Sequence, residues 1–156
     1  LAMDASQNET YYRLGRALTL AGQPEAALSP LHHALELDPA RADARFYLGM
    51  ALAKQKQYDR ALVELNEATR LNPANASAHY YIGEALYALG NYDQAIPVYE
   101  EAARLKADDP DPLVDIGYCH ALRGRIAEAR DAVARALAIS PAHPRALGLR
   151  KKLGTG

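Results

Sequence analysis

The sequence predicts an all-α array of antiparallel helix pairs stacked side by side, and three observations carry that prediction. Gly15, Gly49, Gly83 and Gly117 recur every 34 residues, each directly after an apolar residue, Leu14, Leu48, Ile82 and Ile116. Two alanine columns keep the same period: Ala27, Ala61, Ala95 and Ala129, then Ala34, Ala68, Ala102 and Ala136. Val, Ile and Thr are scarce beside Ala and Leu, which argues against strands. A lone helix pair cannot bury its apolar face, whereas a pair stacked on its neighbours can.

The period divides the chain into units 8–41, 42–75, 76–109 and 110–143, followed by a short helix over 144–153, all within a single domain over 1–156. Each unit reads as two helices, at about unit positions 2–14 and 17–30. The turns between them are marked by Ala21-Gly22-Gln23-Pro24, Gln55-Lys56-Gln57, Gly90-Asn91 and Arg123-Gly124-Arg125. Pro24 suits a first helical turn. Asp38-Pro39, Asn72-Pro73 and Ser140-Pro141 close the second helices, because the residue before Pro avoids helical angles. In the third unit Ala107 takes the Pro slot, and the break moves to Asp109-Pro110-Asp111-Pro112. Pro30 and Pro97 fall inside second helices, where each removes a donor and is expected to kink its helix. In the first helices, positions 4, 7, 8 and 11 share one face, and in the second helices positions 20, 24 and 27 do so. Gly and Ala stand where two helices must approach closely.

Composition excludes several classes. With 156 residues, 49% hydrophobic and 24% charged, the chain is long and apolar enough for a continuous core. A net charge of −1 does not fit a globally basic nucleic-acid binder. One cysteine excludes an internal disulfide framework and a multi-cysteine zinc site. No apolar run has the length of a membrane span. His32, His33, His79, His120 and His143 show no close metal-ligand spacing. His32 and His33 read as outer-face residues, and His79 and His120 as hydrogen-bonded interior or interfacial residues. Cys119 falls in a column otherwise filled by Ala17, Ala51 and Ala85, so it reads as packing rather than as a nucleophile. The glycines are periodic rather than clustered as in a phosphate cradle. The expectation is a non-enzyme with no cofactor, no metal, no nucleic acid and no membrane partner.

These residues resemble the tetratricopeptide repeat family, whose pattern has Leu-Gly at positions 7–8, Tyr at 11, Ala at 20, an aromatic at 24, Ala at 27 and Pro at 32. The first unit supplies Tyr11, Leu14, Gly15, Leu18, Ala27, Leu31, Ala34 and Pro39, and the third His79, Ile82, Gly83, Leu86, Ala95, Tyr99, Ala102 and Ala107. Arg45 and His79 at position 4, His120 at position 11 and Ala107 depart from it. The resemblance implies a right-handed superhelical solenoid, closed by a capping helix, whose concave wall is made by the first helices and binds a partner peptide or helix. The positions facing that groove hold Tyr12, Arg16, Asp43, Phe46, Tyr47, Met50, Tyr80, Tyr81, Glu84, Tyr87, Asp115 and Tyr118, which are the candidate peptide-binding residues. Tyr12, Phe46 and Tyr80 are expected to be mostly packing, whereas Tyr47, Tyr81 and Tyr87 exceed what packing requires. Tyr joins a large apolar area to a hydroxyl, which suits peptide recognition.

The aromatic groove and its acids point to a partner segment with apolar anchors and some positive charge. The Lys/Asn clamp by which some family members hold a C-terminal carboxylate is absent, since its positions hold Tyr12, Arg16, Tyr47, Ser77 and Tyr81; nor is there an Asn ladder. Unit 76–109 carries net −4, and residues 144–156 carry +4 from Arg145, Arg150, Lys151 and Lys152. The basic end reads first as a polar cap and second as a tip for an acidic partner. The expected function is a non-catalytic interaction module. The alternatives are an oligomerisation scaffold acting through its ends or convex face, with self-association, and an accessory domain of a larger bacterial enzyme or of a secretion or pilus assembly factor. The Ala- and Arg-rich usage fits a bacterial source, with a cytoplasmic location expected ahead of a periplasmic one.

Overall fold

The computed structural model describes residues 2–154, with side chains from residue 5 onward. Residues 1, 155 and 156, at the ends of the expected domain, lie outside the described residues. The chain forms α1 (Ala2–Leu20), α2 (Pro24–Leu37), α3 (Ala42–Lys54), α4 (Tyr58–Leu71), α5 (Ala76–Ala88), α6 (Tyr92–Leu105), α7 (Asp111–Leu122), α8 (Ile126–Ile139) and α9 (Pro144–Leu153). No strand occurs among the described residues. The helices sit where the 34-residue period places them, save that α1 begins at Ala2, a turn and more upstream of the first unit. Residues 2–8 hold no Gly or Pro to stop it.

Each turn between paired helices uses one device. The backbone at Gly22, Gly90 and Gly124 is left-handed, with φ of 74°, 79° and 73°. The next N–H then reaches back five residues to the helix: Gln23 to Leu18, Asn91 to Leu86 and Arg125 to His120, each at 2.9 Å. Lys56 holds the same place in the second turn at φ 60°, with Gln57 bonded to Leu52 at 2.9 Å. At the ends of the second helices the Oδ1 of Asp38 accepts from the Ala40 N–H (3.1 Å), and that of Asn72 from the Ala74 N–H (3.3 Å). Asp109 does the same for Asp111 at 3.1 Å, so the third unit, with Ala107 in the usual Pro slot, makes this turn three residues late at Asp109-Pro110.

The contacts form two compact units, residues 1–85 and 86–156. In the first, α1 packs on α2 and α3, α2 on α3, and α3 on α4. Its core is Ala27, Leu31, Ala34, Leu48, Ala51, Leu52, Ala61, Leu65 and Ala68, all buried. Gly49 lies so near α4 that a Cβ would stand 2.6 Å from Leu65 Cγ and 3.3 Å from the Ala61 carbonyl oxygen. In the second, α7 packs on α6, α8 and α9, and α8 on α9. Tyr99, Val114, Ile116, Val133 and Cys119 fill its core. A Cβ on Gly117 would be 3.1 Å from Leu149 Cδ2 and 3.2 Å from Val133 Cγ2.

The departures from the pattern have local causes. Arg45 donates to Glu64 (2.8 Å) and to the Pro39 carbonyl (3.1 Å), so its slot holds an ion pair across α3 and α4. His79 Nε2 lies 3.0 Å from the Pro73 carbonyl oxygen. His120 differs from expectation: its Nδ1 is buried with no hydrogen-bond partner, in a column where the other units place Leu18, Leu52 and Leu86. His32 and His33 are exposed on α2. Both α2 and α6 continue unbroken through Pro30 and Pro97.

Two stability measurements follow from this packing. Gly49→Ala is expected to destabilise by about 1–2 kcal/mol in denaturant melts, because overpacking against Leu65 outweighs the gain in helix propensity. Lys56→Gly is expected to stabilise by about 0.5–1 kcal/mol, relieving a left-handed residue that carries a Cβ.

Candidate partner-binding face

In residues 1–85, the 34-residue spacing places ring-bearing positions of α1, α3 and α5 beside one another. Tyr12, Phe46 and Met50 are buried, and Tyr47, Tyr80, Tyr81 and Glu84 are half-buried. Their rings form a connected line. Tyr12 meets Tyr47 at 6.1 Å between centroids, Phe46 meets Tyr47 at 5.0 Å and Tyr81 at 6.0 Å, and Tyr80 meets Tyr81 at 6.0 Å. The three pairs that include Phe46 or Tyr80 are edge-on, the arrangement that ring quadrupoles favour. Arg16 is exposed with its guanidinium 5.8 Å from the Tyr47 ring centroid, and Asp43 is exposed on α3. Burial, then the neighbouring Asp43 carboxylate, pushes the Tyr12 hydroxyl pKa up. Burial and Glu84 do the same to Tyr81.

Two residues that sequence reasoning missed hold the start of this line. The Arg41 guanidinium stands 3.9 Å over the Tyr12 ring, donates to Glu9 at 2.6 Å and also donates to Asn8 Oδ1. Asn8 in turn donates to the Ala34 carbonyl at 2.6 Å. The Arg41 hydrogen bond holds the Glu9 carboxyl below its usual range, helped by Arg13. Arg41 Nε is buried without a partner. Nothing in the repeat pattern singles out Arg41, because the network depends on a side chain folding back across one whole helix pair.

In residues 86–156 the candidate residues are Tyr87, Asp115 and Tyr118. Tyr87 is half-buried, edge-on to Tyr92 at 5.3 Å. Its hydroxyl is pushed up by burial first, then by Tyr92, Cys119, Asp115 and Tyr118. Asp115 is only 3% exposed, and Arg145 from α9 donates to it. The same guanidinium lies 3.5 Å from Asp111 and 5.6 Å from the Tyr118 ring centroid. His143 Nδ1 accepts the Ala146 N–H at the start of α9, so its Nε2 carries the proton it shares with Asp111 at 3.1 Å. The carboxylate expected to meet a partner's positive charge thus already meets one from this chain.

The arrangement offers apolar area, ring faces, hydroxyls and a few charges, which is binding chemistry. Among the described residues no group of three or more His, Cys, Asp or Glu is placed to hold a metal ion, and no helix is long and apolar enough to cross a membrane.

A tetratricopeptide repeat family model matches residues 18–81 and 86–153, and a second matches residues 57–112. The chain belongs to the tetratricopeptide repeat family. Among curated proteins no sequence match is found. Among solved structures, MamA is 28% identical with a TM-score of 0.84, over 91% of this chain and 83% of that one. PilF of Pseudomonas aeruginosa is 24% identical with a TM-score of 0.83, over 96% and 68%. YrrB, a repeat protein with an unusual peptide-binding site, is 24% identical with a TM-score of 0.77, over 92% and 82%. The last two likenesses show the fold alone. Proteins of this family are typically non-catalytic protein–protein interaction modules.

The raised tyrosines set an expectation for titration. A raised pKa means the neutral form is favoured in the fold, so this contribution is complete at neutral pH and is lost as pH rises through the raised values. Spectrophotometric titration is expected to show Tyr12, Tyr81 and Tyr87 ionising above the ordinary 10.0, with Tyr81→Phe removing one of these late transitions.

Proposed function

We propose that the chain holds a segment of a partner protein against the aromatic face of α1, α3 and α5. The observation that supports this reading is the line of half-buried rings, Tyr47, Tyr80 and Tyr81, in contact with one another and with the buried Tyr12 and Phe46. A ring seated on a packed floor loses little entropy when a ligand covers it, so apolar anchors of a partner gain area at low cost. Arg16, Asp43 and Glu84 border the rings and give polar register. Asp43 and Glu84 favour a segment with some positive charge, and the internal precedent is Arg145 lying among Asp111, Asp115 and Tyr118. Tyr87 and Tyr118 supply an aromatic patch of their own in residues 86–156.

Peptides selected from a library on the wild-type chain test this reading. Tyr47→Ala/Tyr81→Ala is expected to weaken the selected peptides by about tenfold or more while the helical signal stays intact. Equal binding by the variant would overturn the assignment.

A second reading, an assembly scaffold acting through an end of the array, draws on a different observation. Leu14 is 49% exposed, whereas Leu48 and Ile116 in the same column are 1% exposed. Tyr11 beside it is 37% exposed. On this reading the mass in sedimentation grows with concentration and Leu14→Glu abolishes the growth; a strict monomer at high concentration contradicts it.

A further inference from the structure

Helix α9 covers α8 only in part. Its own apolar stripe turns inward, with Ala146 and Leu149 buried and Leu153 half-buried. Between the two helices remains a groove of about 520 Å³ floored by Val133, Leu137 and Leu153, with the exposed Ala134, Arg130 and Arg150 at its edges. Arg130 donates to the Leu153 carbonyl oxygen at 2.8 Å, which ties the end of α9 to α8 and holds that guanidinium at the groove's mouth. Arg150, Lys151 and Lys152 follow one another in the exposed last turn of α9, where the helix dipole favours cations but does not neutralise them. Residues 144–156 contain no acid.

We propose that this groove docks an acidic amphipathic segment of a partner protein, at a site separate from the aromatic face. Apolar side chains of the segment enter between α8 and α9, and its carboxylates accept hydrogen bonds from Arg130 and Arg150, whose planar guanidinium groups can donate two at a time. Charge complementarity selects this occupant. The groove's floor is apolar and both charged residues that line it are arginines. The chain's own acidic unit is a poor source of that charge, because Asp93, Glu100, Glu101 and Asp109 are already paired with Arg125, Arg135, Arg104 and Lys106. A nucleic acid brings phosphates but no apolar side chain to fill the groove. A lipid surface requires an outward apolar stripe, and that of α9 is spent on α7 and α8.

The test titrates the full chain with a fluorescent helical peptide that carries leucines at i, i+3, i+4 and i+7 and glutamates elsewhere, beside its glutamine counterpart. The expected result is saturable binding of the glutamate peptide that weakens with salt and is about tenfold or more weaker for the glutamine peptide. Arg150→Glu and, separately, Ala134→Glu on the exposed edge of the groove are each expected to reduce binding about tenfold or more with unchanged thermal melts. Tyr47→Ala/Tyr81→Ala is expected to bind this peptide as the wild type does, which separates the site from the aromatic face. Equal binding by Arg150→Glu and Ala134→Glu would overturn the proposal, as would no binding at all. Arg150-dependent binding to phosphatidylserine vesicles or duplex DNA in preference to the peptide would overturn it in favour of those surfaces. Arg150-dependent growth in mass of the chain alone would overturn it in favour of a second copy.

Discussion

The close approach of paired helices, α1 to α2, α3 to α4 and α7 to α8, is the constraint on which the remaining structure depends. At Gly49 there is no room for a Cβ between α3 and the Leu65 side chain, and at Gly117 the space against Val133 and Leu149 is nearly as tight. Ala27, Ala61, Ala95 and Ala129 answer from the second helices, all of them fully buried. Interiors packed this densely transmit any added volume to their neighbours. The period of 34 is the sequence record of that fit. Positions off the contact stripe are under no such demand, so the faces of the first helices are where the units differ from one another.

Those faces share a device that neither the repeat nor the composition announces. Arg41 lies over the Tyr12 ring and pairs with Glu9, while Arg145 lies near the Tyr118 ring and pairs with Asp115 and Asp111. Each arginine follows a complete helix pair and turns back onto the first helix of that pair. Each fixes a ring by cation–π attraction and a carboxylate by charge, so part of the face is ordered before any partner arrives. The basic character of the last helix is divided accordingly. Arg145 serves the chain's own carboxylates, whereas Arg150 stands at the edge of the groove between α8 and α9.

Much of the architecture was legible in the sequence, because helix pairing writes itself into regular columns. The turns were legible for the same reason, and Lys56 shows that a turn position can demand a left-handed backbone even where Gly is missing. The ring line was also legible, since residues 34 apart on first helices become neighbours. The late turn at Asp109-Pro110 could be read from the displaced prolines. What escaped was side-chain reach: Asn8 and Arg41 lie 26 to 33 residues from the groups they bind, and Arg145 lies 30 from Asp115. Long flexible side chains carry no periodic signal. The unpartnered Nδ1 of His120 escaped too, because nothing in a column that Leu otherwise fills announces how a ring nitrogen there is buried.

Hydrogen–deuterium exchange of the full chain, with and without a peptide selected from a library, tests the central claim most directly. If partner segments lie on the aromatic face, the peptide slows exchange in α1, α3 and α5 around Tyr12, Tyr47 and Tyr81 and leaves α2 and α4 unchanged. Protection confined to α2 and α4, or absent from α1, α3 and α5, would contradict the account.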